Sequence, residues 1–212
     1  MNKKVLHDIS YGVYVVTTLD GERPVGCIAN SVMQVTSSPA TIAVSINRDN
    51  YTNGCIVKTG KFAISILSEK SSPKLIGTFG FKSGRDTDKF AGISYEFKDS
   101  LPVIMDSCGY ILLRLINKME TATHTVFLGE VYDCEAFAGA GSAMTYAYYH
   151  KVIKGKSPKN APTYQSDEEV PAAGSKKYKC RICGYIHKGK DINKNFICPV
   201  CGQGSEHFIR EE

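Results

Sequence analysis

Two Cys-x-x-Cys-Gly units stand within the 24 residues Lys179–Gly202, as Cys180-Arg-Ile-Cys183-Gly184 and Cys198-Pro-Val-Cys201-Gly202. A tetrahedral thiolate site needs two tight turns, each aiming two sulfurs at one point. A glycine after each second cysteine permits positive φ, which lets backbone N–H groups turn toward the sulfurs. The spacing identifies Cys180, Cys183, Cys198 and Cys201 as ligands of one metal ion, and both iron and zinc suit four sulfurs. The ion also answers a folding problem, because the last 37 residues are too few to bury a core without a staple.

Elsewhere the residues with chemical potential are polar ones punctuating apolar runs: "GCIANSVMQVTSSP", "SINRDNYT", "FGFKSGRDTDKF" and "HTVFLGEV". Such loops can cradle a phosphate and hydrogen-bond a planar ring. The glycines at 77, 80 and 84 have the wrong spacing for a dinucleotide fold. No Ser-His-Asp pattern and no paired carboxylates stand out. By alternation His124 shares a strand face with Val126, Leu128 and Tyr132, where a histidine serves either structure or chemistry.

The elements that must carry these residues are mostly strands. In "TIAVSIN" Ile42, Val44 and Ile46 share one face and Ser45 and Asn47 the other; "KFAISILS" places Phe62, Ile64 and Ile66 alike. "YGVYVVTT", "YILLRLIN" and "THTVFLGEVYDCEAF" are further strand candidates. Ser72-Pro73 starts a short helix, and "AMTYAYYHKVI" is a helix or a strand. Short strands with few helices imply a mainly β barrel or sandwich. The domain reading is 1–164, then a linker at 165–176 whose "QSDEEVPAAGSK" breaks the composition, then the metal domain at 177–212.

No run of 18 apolar residues occurs, and the N-terminus lacks a signal peptide's pattern, so the expected place is the cytoplasm, with no membrane partner. There the other four cysteines (27, 55, 108 and 134) read as small core hydrophobes. The net charge of +5 lies mostly in residues 176–212, with eight Lys/Arg against four Asp/Glu. That excess is too mild to imply nucleic acid.

"KYKCRICGYIH…CPVCG…F" resembles a rubredoxin of the short-loop kind that ends rubrerythrins, with Tyr178, Tyr185, Phe196 and Phe208 where aromatics would surround the site. The resemblance implies one iron per chain, passing single electrons. The polar segments, in their order from about Leu6 to Tyr164 and including the closing "KGKSPKNAPTY", resemble the flavin reductase-like family of FMN-binding split β-barrels. That implies a six-stranded antiparallel barrel, a homodimer, and FMN near the dimer interface. Carried over by position, Asn30, Ser31 and Val32 would meet the isoalloxazine ring. Ser45, Asn47, Asn50, Tyr51 and Thr52 would line the ring and phosphate region. Ser83, Arg85 and Lys89 would hold the phosphate, Lys89 as a cation opposing a dianion. His124 would sit where the nicotinamide approaches.

The order of the two domains resembles the fused high-molecular-weight rubredoxins of anaerobic bacteria. It implies electrons passing from NADH or NADPH through FMN to iron, then to a redox protein such as a flavodiiron NO/O2 reductase. The flavin is needed as converter, since a nicotinamide gives two electrons at once and a tetrathiolate iron takes one. Two alternatives stand beside this: a flavin reductase supplying reduced FMN, and a non-catalytic FMN-binding sensor with a zinc ribbon.

Overall fold

The computed structural model describes residues 3–153, 176–189 and 191–211. The expected linker at 165–176 lies outside these apart from Lys176, as does the closing segment 154–164. In chain order the barrel elements are β1 (Tyr14–Asp20), β2 (Arg23–Ala29), β3 (Val32–Ser37), β4 (Ala40–Asn47), α1 (Tyr51–Thr59), β5 (Lys61–Ile66), α2 (Pro73–Phe81), β6 (Tyr95–Lys98), β7 (Leu101–Ile104), β8 (Gly109–Glu120), β9 (His124–Ala136) and α3 (Tyr146–Lys151). The C-terminal unit is a three-stranded sheet of β10 (Lys176–Cys180), β11 (Ile186–Gly189) and β12 (Phe208–Glu211), in the order β11-β10-β12.

The main sheet has seven antiparallel strands in the order β2-β1-β5-β8-β9-β4-β3. The strands β2 and β3 lie on opposite edges, yet only Asn30 and Ser31 join them. The three steps from Ala29 to Val32 reach at most about 11 Å, so the sheet must curl until its edges meet at this corner. The sheet has seven strands where the resemblance implies six; β2 and β3 are additions to the strand candidates, and Val32–Ser37, which shows no alternation in "VMQVTS", pairs with β4 as an edge strand bulged at Gln34/Thr36.

Alternation sets the core. Inside the barrel Val16, Cys27, Ile42, Val44, Ile46, Phe62, Ile64, Leu113 and Phe127 pack with Ile56 of α1. Neighbouring Val13 and Val15 point the other way into a second cluster with Leu75, Ile76 and Phe79 of α2 and Tyr149 of α3. Strand β1 is thus buried on both faces, as its run of apolar and β-branched residues requires. Cys27 and Cys55 are buried as expected, but Cys108 is half-buried and Cys134 exposed, at the end of β9 that outruns its cover.

The helix α2 starts as read: Ser72 caps it, its side chain accepting from the Lys74 N–H, with Pro73 in the first turn. "AMTYAYYHKVI" yields α3, capped by Thr145. Helix α1 is an addition to the elements expected. Its signals are Asn50, whose Oδ1 accepts from the Thr52 N–H, and Gly60 in the left-handed region at φ 65°. Among the described residues no helix is long and apolar enough to cross a membrane.

Candidate metal centre and cofactor cavity

The four predicted cysteines converge. Their sulfurs all lie within 4.8 Å of one another, and all four residues are buried. Cys180 and Cys201 approach to 3.6 Å and Cys183 and Cys198 to 3.4 Å, near the roughly 3.8 Å edge of a tetrahedron with metal–sulfur bonds of about 2.3 Å. Gly184 (φ 75°) and Gly202 (φ 69°) adopt the left-handed backbone the motif asked for. Their N–H groups close the turns onto the Cys180 and Cys198 carbonyls.

The turns aim further N–H groups at sulfur: that of Tyr185 at Cys183, those of Val200 and Cys201 at Cys198, and that of Gln203 at Cys201. A hydrogen bond shared by the Cys183 and Cys198 sulfurs holds Cys198 below the ordinary thiol range and Cys183 above it, and burial raises Cys201. Left to themselves, such sulfurs share protons. A cation displaces those protons, so metal binding and folding are one event. Four buried sulfurs at these separations fit a four-coordinate iron or zinc. Tyr185 and Phe208 pack against the cluster, Phe196 stacks edge-on to Phe208 at 5.4 Å, and Tyr178 reaches outward to donate to Asp191.

On the barrel's flank lies a cavity of about 290 Å³. The predicted Asn30, Ser45, Asn47, Asn50, Tyr51, Ser83 and His124 line it. The pleat explains much of this. With Val44 and Ile46 pointing into the barrel, Ser45 and Asn47 must face out, and Asn47 pairs in register with His124 across β4 and β9. His124 does share its face with Val126 and Leu128, but that is the half-buried outer face; Thr125, Phe127 and Gly129 fill the inside. Its Nδ1 lies 2.8 Å from the Thr123 hydroxyl, and burial lowers its pKa below the ordinary histidine range.

Five predicted residues do not line the cavity. Ser31 donates to the Asn30 side chain, Val32 packs against the barrel core, and Thr52 is fully buried in α1. Arg85 is exposed; its guanidinium lies 5.4 Å from the centre of the Tyr51 ring, which Arg23 also approaches, at 5.5 Å. Lys89 is turned inward, 3% exposed, its Nζ donating to the carbonyls of Gly26 and Phe79. It braces the loop from beneath rather than opposing a ligand.

Among the described residues, the cation that lines the cavity is Lys82, beside Ser83 and Gly84 and just past the end of α2. Its place could have been read from the same "FGFKSGRD", since a helix ending at Phe81 releases the next side chain. Tyr146 and Tyr149 of α3 also line the cavity, and nothing local in the sequence announces them.

Residues 6–156 match the model of the flavin reductase like domain, and residues 178–209 that of the rubrerythrin, rubredoxin-like domain. The chain belongs to the flavin reductase like family. It is 40% identical, over 98% of its length and 99% of the relative's, to the high molecular weight rubredoxin of Moorella thermoacetica. It is 36% identical to the ferric-chelate reductase (NAD(P)H) of Archaeoglobus fulgidus, over 77% of this chain and 98% of that one. Among solved structures, the NADH:FAD oxidoreductase SgcE6 of Streptomyces globisporus C-1027 superposes with a TM-score of 0.61 at 25% identity, covering 68% of this chain and 85% of that one. This flavin reductase like chain is therefore an oxidoreductase with a flavin domain and a rubredoxin-like iron domain.

Because the ion supplies the C-terminal unit's core, Cys198→Ser should abolish stoichiometric metal and unfold residues 176–211 while the barrel's thermal transition persists. Metal analysis together with circular dichroism checks this; a Cys198→Ser variant that keeps a full complement of metal contradicts it.

Proposed function

We propose that the chain carries electrons from NADH or NADPH through FMN to an iron held by Cys180, Cys183, Cys198 and Cys201, and from there to a redox protein such as a flavodiiron NO/O2 reductase. The observation that carries this reading is the presence in one chain of both sites: a cavity on a flavin reductase like barrel and a buried four-sulfur centre. The electron count is NAD(P)H plus two ferric sites going to NAD(P)+, a proton and two ferrous sites. Bound FMN supplies the conversion of a hydride into single electrons.

The chain's own residues take roles that follow from their positions. Asn30, Ser45 and Asn47 offer donors and acceptors to a planar ring, and Lys82, Ser83 and Asn50 offer charge and hydrogen bonds to a phosphate. A neutral His124, with Nδ1 engaged by Thr123, leaves Nε2 for a nicotinamide or ring atom at the cavity mouth. The two matched segments, 6–156 and 178–209, support a domain order of barrel (1–164), linker (165–176) and metal domain (177–212). Exposed Met33 and Val35 on the edge strand β3, and Ile116 and Met119 on β8, support a homodimer. The proposed setting is the cytoplasm of an anaerobe. A supplier of freely diffusing reduced FMN would have no use for a tethered four-sulfur centre.

The test is anaerobic stopped-flow on the protein as purified. Iron should analyse near one per chain, and NADH or NADPH should bleach first the flavin and then the ferric-thiolate absorbance. Stoichiometric zinc from iron-replete cells, or ferric iron that persists beside fully reduced flavin, defeats the reading.

Two substitutions probe the cavity. Lys82→Ala should weaken FMN binding by about tenfold or more, the scale of one charge-assisted contact to phosphate. Lys89→Met should leave FMN affinity nearly unchanged and lower stability by about 1–3 kcal/mol, because two buried carbonyls lose their donor. For His124→Ala, flavin reduction by NAD(P)H should slow with FMN content preserved; loss of FMN and of stability together, with normal reduction of what remains, would mark the histidine as structural.

A further inference from the structure

The two sites are not merely tethered. Gly77, in the middle of α2, is covered by the second cysteine turn: a methyl group placed on it would stand 2.5 Å from the Cys201 Cα, 2.8 Å from its Cβ and 3.1 Å from the Val200 carbonyl. Those distances admit a hydrogen and nothing larger. Glycine inside a helix is disfavoured by about 1 kcal/mol relative to alanine, so a glycine here has its use in the close approach it allows.

The residues next to Gly77 face the cavity. Ile76, Gly80 and Phe81 of the same helix line it, while Phe81 and Ile153 also pack against the cysteine cluster. Tyr149 lines the cavity, is 2% exposed, and packs in one cluster with Phe81 and Ile153, the two barrel residues that touch the cysteine cluster. One helix therefore separates the cavity from the four sulfurs, a gap on the order of 10 Å, narrowed where it has no side chain.

We propose that Gly77 is the seat on which the rubredoxin-like domain docks against the barrel of its own chain, so that electrons cross from cavity to metal through α2 and Tyr149 in this docked state rather than after a free swing of the domain. The coupling half of this rests on the electron-transfer reading above; the docking half does not. Each crossing moves one electron, taking one ferric site to ferrous, with the pair supplied by one NAD(P)H.

Gly77→Ala is the discriminating variant. Alanine is the better helix former, so α2 and the barrel should hold, whereas the added methyl cannot coexist with the Cys201 backbone. The full chain is first loaded with zinc, a redox-silent occupant of the four sulfurs, and examined by small-angle scattering. The variant should show a larger radius of gyration and maximum dimension than the wild type, at unchanged zinc content and helicity. Identical scattering curves overturn the seat.

The iron-loaded pair is then mixed with NADH or NADPH. Flavin reduction should be the same in both, and bleaching of iron about tenfold or more slower in the variant, because a tether alone leaves the domain at roughly millimolar effective concentration instead of docked. Equal bleaching rates overturn the coupling. Iron that NAD(P)H never reduces in the wild type defeats the electron-transfer reading itself, while the scattering still decides the seat. Co-expressed mixed dimers carrying Gly77→Ala in one chain and Cys198→Ser in the other should lack the fast phase; a fast phase there would place the seat on the partner subunit and overturn the own-chain assignment.

Discussion

Ile42, Val44 and Ile46 can fill the barrel only if Ser45 and Asn47 face the other way. The same pleat on β9 sends Phe127 inward and His124 outward, and the register of the two strands sets Asn47 opposite His124. The polar wall of the cavity is thus the obverse of the apolar core. A one-residue slip between β4 and β9 would exchange the two, placing polar groups in a dry interior, so the register is protected by the whole of the barrel's hydrophobic energy. Helix α1 follows directly from the end of β4 and brings Asn50 and Tyr51 to the rim. Helix α2 packs against the opposite face of β1 and supplies the floor.

What is legible in the sequence is whatever local geometry decides. The cysteine pairs with their glycines specify two turns and therefore a site; the strands β4, β5 and β9 announce themselves by alternation, and β1 and β8 by their β-branched and aromatic residues. Ser72-Pro73 marks the start of α2 because a cap and a fixed φ act within two residues. Helix α1 stays hidden because polar or small residues fill much of it, with Thr52 and Asn53 buried and Gly54 between them and Cys55, so no apolar stripe shows. The choice between Lys82 and Lys89 is not local at all. Both follow α2 in a polar loop, and only the packing of β2 beneath it, with the Gly26 carbonyl waiting for an ammonium group, turns Lys89 inward. Tyr146 and Tyr149 meet the cavity from a helix that follows β9 only after an intervening loop, a juxtaposition that no spacing rule reports.

Charge explains why the metal unit folds as it does. Four thiols this close cannot all ionise without an ion at their centre, and burial on every side removes the water that would otherwise shield them. The N–H groups of Tyr185, Val200, Cys201 and Gln203 lower the cost by pointing positive ends at sulfur. With iron bound, they would favour its reduced form, in which the four-thiolate centre carries more negative charge, and so tune its potential. The two glycines make this possible, since only their left-handed backbone returns the chain quickly enough for N–H groups to converge.

A unit built in this way has little apolar interior of its own, and part of what covers its sulfurs comes from the barrel, in Phe81 and Ile153. The contacts that shield the thiolates from water are therefore among the contacts that hold the domain beside the cavity. Excluding water lowers the dielectric response that must rearrange whenever the centre changes charge, and close approach shortens the path that an electron crosses. Fold stability, redox tuning and proximity are thus served by one small interface. Gly77 belongs to it because any side chain there would keep the Cys201 turn from the helix on which all three depend.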